Sequence, residues 1–358
     1  DPLWSRGLGD VYKRQALLRI VMGVLVDHLK PKKAGIIGQV IVMSGLLWAW
    51  LGDLSSYHTM LSFGVILGFA GAAFAVALPL ASRWYPPEHQ GTALGIAGAG
   101  NSGTAFAALF APTLAIMFGW QNVFGLCLIP LSIAFVVYLV FTRDAPSAPP
   151  PKSMMEYLHV LKDKDAWWFM FFYSVTFGGF SGLASSLTIY FNGQYGLSPV
   201  TAGYFTAACV FAGSAVRPLG GRLADRIGGI KTLSMMYMLA ASFMLIASFG
   251  LSSAMAAVAI FVLAMLSLGV GNGAVFQLVP QRFRKEIGVM TGLVGMAGGI
   301  GGFYLASSLG YSKQLTGSYQ GGLIVFAALA IVALLGLSAV KNRWRTTWGS
   351  AAMTNAKI

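Results

Sequence analysis

Eleven stretches of about twenty mostly apolar residues follow one another along this chain, and nothing else in the sequence restricts its fold as much. They run at about 16–27, 34–52, 58–82, 91–118, 121–142, 167–192, 200–221, 229–250, 253–280, 288–310 and 319–340. A helix of about 20 apolar residues spans the hydrocarbon core of a bilayer. Composition agrees, because only 10% of the 358 residues are charged, against about 25% in a soluble domain. That is too little charge to coat a water-facing globule, which argues against a cytosolic enzyme. The sequence predicts an all-α polytopic membrane protein.

The charges are unevenly placed. There are 24 Lys and Arg against 11 Asp and Glu, a balance that would suggest nucleic acid in a soluble protein. Here 18 of the basic residues fall on one set of loops and the tail, whereas the opposite loops hold only Lys313. Basic loops stay in the cytoplasm, so the linker and the C-terminus are expected there, with the bilayer as partner and no nucleic acid. Cys127 and Cys209 lie inside apolar stretches and form neither a disulfide framework nor a metal site. No metal and no cofactor are expected.

The sequence repeats itself. Residues 19–27, RIVMGVLVD, and 217–225, RPLGGRLAD, both read Arg-x3-Gly-x3-Asp. GAGNSG (98–103) faces MAGGIG (296–301), and GFAGAAFAVALP (68–79) faces GVGNGAVFQLVP (269–280), at nearly the same offset. Three matches in order indicate a duplicated bundle. The second half has six spans and the first has five, so a first helix is expected to be missing. Residues 1–15 read as a non-native leader or artefact and are set aside. The expected layout is then an N-terminal bundle at 16–142 (spans 2–6), a Pro-rich linker at 143–166, a C-terminal bundle at 167–341 (spans 7–12) and a tail at 342–358.

Only Arg19 and Arg217 place a charge deep in an apolar span, and they hold equivalent repeat positions. An intramembrane Arg costs about 2.5–3.5 kcal/mol on insertion scales and is a functional hypothesis by default. Every Asp and Glu lies in a loop or at a span end. Two such guanidiniums facing one cavity repel unless an anion lies between them, and a planar oxyanion matches the planar donor fork of Arg. The bland alternative is that each Arg snorkels or pairs with a loop Asp. Arg19 and Asp27, eight residues apart, are separated by about 12 Å along a helix. With all four His in loops or at span edges, anion exchange is favoured over a proton relay, although symport stays open.

GVLVDHLKPKK (23–33) and GGRLADRIGGIK (220–231) resemble the loop signature of the major facilitator superfamily, with His28 where Arg is usual. GIAGAGNSGT (95–104) and GMAGGIGGF (295–303) resemble the paired Gly-rich signatures of its nitrate/nitrite porters, and GVGNGAVFQLVP resembles the assimilatory branch. The resemblance covers nearly all of 16–341. It implies two pseudo-symmetric six-helix bundles, here with eleven spans, in a monomer of the bacterial inner membrane. It implies secondary transport of nitrate and also nitrite by rocker-switch alternating access, with formate or oxalate exchange as the alternative. By resemblance, Arg19, Arg217, Asn101, Phe74, Tyr173 and Phe177 bind the anion. Tyr173 and Phe177, four residues apart, share a helix face. The signature glycines Gly98, Gly100, Gly103, Gly298, Gly299, Gly301 and Gly302 would let backbones approach closely. Gly23, Asp27, Gly221, Asp225 and Arg226 form the loop motifs, whose aspartates would brace the cytoplasmic ends against basic loop residues.

GAGNSG spells a dinucleotide fingerprint, but no acidic residue occurs between Glu88 and Asp144 to hold a ribose. For Asn101, anion donor and helix–helix hydrogen bond both fit, and Asn272 in the matching region is equally ambiguous.

Overall fold

The computed structural model describes residues 25–26, 28–145, 159–349 and 358. Among them the chain forms thirteen α-helices joined by short turns and three 3-10 segments. Before the linker these are α1 (Pro31–Leu51), α2 (Tyr57–Ala72), α3 (Phe74–Ser82), α4 (Gln90–Gly98), α5 (Gly103–Phe118) and α6 (Trp120–Phe141). After it come α7 (Lys164–Tyr195), α8 (Pro199–Ala215), α9 (Arg217–Ile227), α10 (Gly229–Ser248), α11 (Ala254–Arg282), α12 (Ile287–Thr316) and α13 (Gln320–Thr346).

Local chemistry sets the ends. Ser56, Ser198 and Ser253 each accept a main-chain N–H from the residue three further on, capping α2, α8 and α11. Pro31 and Pro199 open their helices at a position where no N–H is needed. Gly196 and Gly317 close α7 and α12 in the left-handed conformation.

Nine segments among the described residues are long and apolar enough to cross a membrane, where the sequence predicts eleven. The expected span at 16–27 lies outside the described residues except for Leu25 and Val26. The span at 167–192 forms α7, a 32-residue helix that is not one of the nine. Its run of Ser, Thr and Gly lowers its hydropathy, and it buries much of its length against protein, including Phe169, Phe172, Tyr173 and Phe180.

Three expected spans are broken in the middle. The span at 58–82 turns at Ala73, between α2 and α3. The span at 91–118 tightens to a 3-10 turn at Ala99–Ser102. The span at 200–221 opens at Val216, between α8 and α9. Pro218 explains the last break. It has no N–H to give to the carbonyl of Ser214, so α8 ends and Arg217 becomes the first residue of a new helix.

After the linker, α7 runs alongside α12, and α10 packs between α11 and α13. The two parts of the chain meet where α4 lies on α9 and α11, α5 on α8, and α3 on α12. The largest buried cluster lies mainly after the linker. Helix α6, by contrast, buries no residue and exposes Ile129, Ile133, Val136 and Val140, an apolar face suited to lipid.

One end of the structure carries the basic loops. There Asp163 caps α7, and the buried Asp165 accepts Arg282 Nε at 3.1 Å and Trp344 Nε1 at 2.7 Å. Arg282 also bonds Asp163, and Arg343 bonds Asp165. This carboxylate pair ties the start of α7 to the ends of α11 and α13.

Candidate functional site

Arg217 is 2% exposed and sits about two-thirds of the way along the apolar segment Pro199–Ile227. Its Nη1 donates to the carbonyl of Gly98 at 3.0 Å. Its Cζ lies 5.3 Å from the ring centre of Phe177 and 4.8 Å from that of Phe180. Cation–π contacts of this kind contribute about 2 kcal/mol when desolvated. Neither Nε nor Nη2 has a hydrogen-bond partner among the described residues. A buried guanidinium with donors to spare is unfavourable unless an acceptor is brought to it. The break at Val216 adds to this, because the open N-terminus of α9 favours negative charge at the same depth.

A flat aromatic wall faces this arginine. Tyr173 and Phe177 stack at 5.1 Å with their planes 4° apart, and Phe276 meets Tyr173 edge-on at 4.8 Å. The signature glycines make room for this arrangement. A Cβ on Gly98 would stand 3.2 Å from Arg217 Nη1, and one on Gly298 would stand 2.8 Å from the rings of Tyr173 and Phe177. Gly301 and Gly302 pack α12 on the backbone around Ser174 and on Ser181 of α7, and Gly299 is buried on the same helix.

Gly100 and Gly103 behave differently. Both are exposed, and a Cβ on either would meet nothing within 4 Å. Among the described residues, then, no backbone approaches either glycine closely.

Asn101 lies beside the site. Its Nδ2 donates to the carbonyl of Gly98 at 2.9 Å, within its own turn, and not across to another helix. Arg19, Gly23 and Asp27 lie outside the described residues. Phe74 opens α3 next to the break at Ala73, and its side chain also lies outside them.

Asp225 is where the structure departs most from expectation. Its hydrogen bonds do not come from basic side chains. Its carboxylate accepts the main-chain N–H groups of Gly91 and Thr92 at 3.1 and 2.9 Å and the Thr92 hydroxyl at 2.8 Å. These are unsatisfied donors of the first turn of α4, where a negative charge is favoured. Gly221 makes the contact possible, since any Cβ there would overlap the carbonyl of Gly91. Arg226 stands exposed at the same basic end.

Sequence reasoning missed Phe180, Phe276 and the role of the Gly98 carbonyl. Phe180 follows Phe177 by three residues, so helical spacing could have placed it on the arginine, had aromatics been rarer here.

The family model of the Major Facilitator Superfamily matches residues 14–306. The nitrite extrusion protein of Bacillus subtilis is 30% identical over 89% of this chain and 79% of its own length. The probable nitrate/nitrite transporter NarK2 of Mycobacterium tuberculosis is 32% identical over 89% and 82%. This chain belongs to the nitrate/nitrite porters of the Major Facilitator Superfamily.

Like other members of that superfamily it is a multi-pass membrane transporter and not an enzyme. The probable nitrate transporter NarT of Staphylococcus carnosus is also similar, at 32% over 92% of this chain and 84% of its own length. Among solved structures, the E. coli fucose:proton symporter FucP superposes with a TM-score of 0.73 at 15% identity, over 94% of this chain and 90% of its own. The human organic anion transporter MFSD10 gives 0.71 at 15% identity, over 92% and 83%. These two carry the shared superfamily fold.

Proposed function

We propose that this porter carries nitrate, and nitrite with it, across the bacterial inner membrane by rocker-switch alternating access. One observation carries the reading: a fully desolvated guanidinium whose neighbours are a carbonyl, two rings and the Tyr173 hydroxyl, with no carboxylate bonded to it among the described residues. Such a group is completed by an anion. Its Nε and Nη2 form a side-on fork for one O–N–O edge, and the stacked rings suit a flat ion and exclude water. Relatives named as nitrate and nitrite transporters support nitrate and nitrite as that ion.

In this mechanism the anion lies between Arg217 and Arg19, its repeat equivalent. The neutralised pair lets the two bundles, 16–142 and 167–341, close around it, whereas two unneutralised arginines hold them apart. Asn101 and Phe74 complete the site from the N-terminal bundle. The basic loops, linker and tail face the cytoplasm, and the chain acts as a monomer. The substrate charge alone operates the closure, so nitrate and nitrite exchange.

Proteoliposomes loaded with nitrite and given labelled external nitrate test this. Uptake should require internal anion and be competed by unlabelled nitrate. Competition by formate or oxalate with none by nitrate would overturn the assignment.

A further inference from the structure

Beyond Arg217, the buried polar groups after the linker without a hydrogen-bond partner among the described residues include the Ser214 hydroxyl and both the nitrogen and the oxygen of the Asn272 amide. Asn272 is 2% exposed and lies in the middle of α11, inside an apolar segment. A buried primary amide can make up to four hydrogen bonds, and native proteins seldom leave all of them unmade.

Its surroundings fix where it faces. Met265, Gly269, Asn272 and Phe276 form one stripe of α11 at helical spacing. A Cβ on Gly269 would meet the Gly213 carbonyl and Val216 of α8 and the break, and Gly213 in turn packs on the Met265 carbonyl and the Phe180 ring. At the other end of the stripe, Phe276 meets Tyr173. On either side of Asn272, Gly271 abuts Thr176 of α7 and Gly273 abuts the Arg217 carbonyl. The amide therefore looks into the seam between α7 and the α8–α9 break, where Arg217 lies over Phe177 and Phe180.

The arginine fork covers one edge of a planar oxyanion, that is, two of its oxygens. Nη1 is engaged by Gly98, and Asn101 is held in its own turn by the same carbonyl. Nitrate has a third oxygen, directed away from the guanidinium, and nitrite has none. We propose that Asn272 donates its Nδ2–H to this third oxygen and so sets the preference of the site for nitrate over nitrite. The proposal rests on the anion reading of Arg217 given above.

The test compares Asn272→Leu with the unaltered protein in nitrate and nitrite uptake by proteoliposomes. Leu keeps the branched shape and the number of heavy atoms and removes the donor. The nitrate KM should rise about tenfold, the equivalent of one lost hydrogen bond to a charged partner, while the nitrite KM stays within about twofold. Retained nitrite transport reports that the variant is folded. Because an unpaired buried amide is removed, its melting temperature without anion should not fall. Asn272→Ser, which keeps a donor, should recover part of the nitrate affinity. Equal change for both anions, no change for either, or loss of both would each overturn the proposal. An unaltered protein that transports neither anion would overturn the function itself and this inference with it.

Discussion

Arg217 and Asn101 converge on a single oxygen, the main-chain carbonyl of Gly98, with donor distances of 3.0 and 2.9 Å. One residue lies before the linker and one after it, so the carbonyl joins the two parts of the chain inside their apolar segments. A carbonyl is a weak, neutral acceptor for a guanidinium. A negatively charged oxygen competes well against it, since hydrogen bonds to ionised partners are roughly twice as strong. The site is thus arranged to exchange a weak acceptor for a strong one.

Arg217→Lys keeps the charge and removes the fork. One flexible ammonium cannot replace two fixed parallel donors, and the loss of about 2–3 kcal/mol of charge-assisted bonding corresponds to a nitrate affinity about 30- to 150-fold weaker. Uptake at graded nitrate concentrations measures it, with thermal unfolding as the control. Affinity unchanged within a factor of three would rule out the bidentate role.

The glycines of the two signatures separate into those that touch the site and those that do not. Gly298→Ala drives a methyl group into the Tyr173 and Phe177 rings and should cost about 1–3 kcal/mol of stability as well as activity. Gly98→Ala asks less of its neighbours and should act mainly on nitrate KM, by displacing Arg217. Gly100→Ala and Gly103→Ala enter open space, and should be neutral or stabilise by up to about 1 kcal/mol through helix propensity. Melting temperatures of the four variants give the ranking, and a Gly100→Ala protein as unstable as Gly298→Ala would contradict it.

Asp225→Ala removes the anionic cap of α4. Loss of a helix cap of this kind costs about 1 kcal/mol, here charged to the state in which α4 and α9 are in contact. A cysteine introduced at the basic end of that contact should become several-fold more reactive to a water-soluble maleimide. Unchanged labelling would mean that the contact does not hold that end shut.

Asp165→Asn leaves Arg282 and Arg343 without their shared carboxylate. Both arginines are partly exposed, which lowers the penalty below that of a fully buried pair, to about 1–3 kcal/mol. The melting temperature should fall while nitrate KM stays the same, because the cluster holds α7, α11 and α13 together far from the anion. A raised KM at unchanged melting temperature would refute this division of labour.

Much of the site was readable from the chain because a buried charge without a counter-charge is conspicuous. Arg217 announced itself through the missing acids, and Tyr173 with Phe177 through the family resemblance, with four-residue spacing placing them on one face. The break that presents Arg217 was not readable. Proline is tolerated in membrane helices when neighbours compensate, so Pro218 alone does not reveal whether a span is continuous. Gly100 and Gly103 could not be told from the other signature glycines, because spacing reports where a glycine is and not what stands opposite it. Asn272 stayed ambiguous because its meaning depends on which two helices flank α11. The expected partners of Asp225 were basic because side-chain charges are visible in a sequence and helix termini are not.

That last contact has an evolutionary corollary. Two of the three bonds to Asp225 come from peptide N–H groups, which every residue except proline supplies, so a change at position 92 removes only the hydroxyl bond. Gly91 and Gly221 are held to glycine by space, since a Cβ at 91 would stand 2.6 Å from the Asp225 carboxylate and one at 221 would overlap the Gly91 carbonyl. The main partner of Asp225 is a helix start, so no charge-reversal pair could be built to rescue its loss. Covariation at this end would follow room for two backbones and not complementary charge.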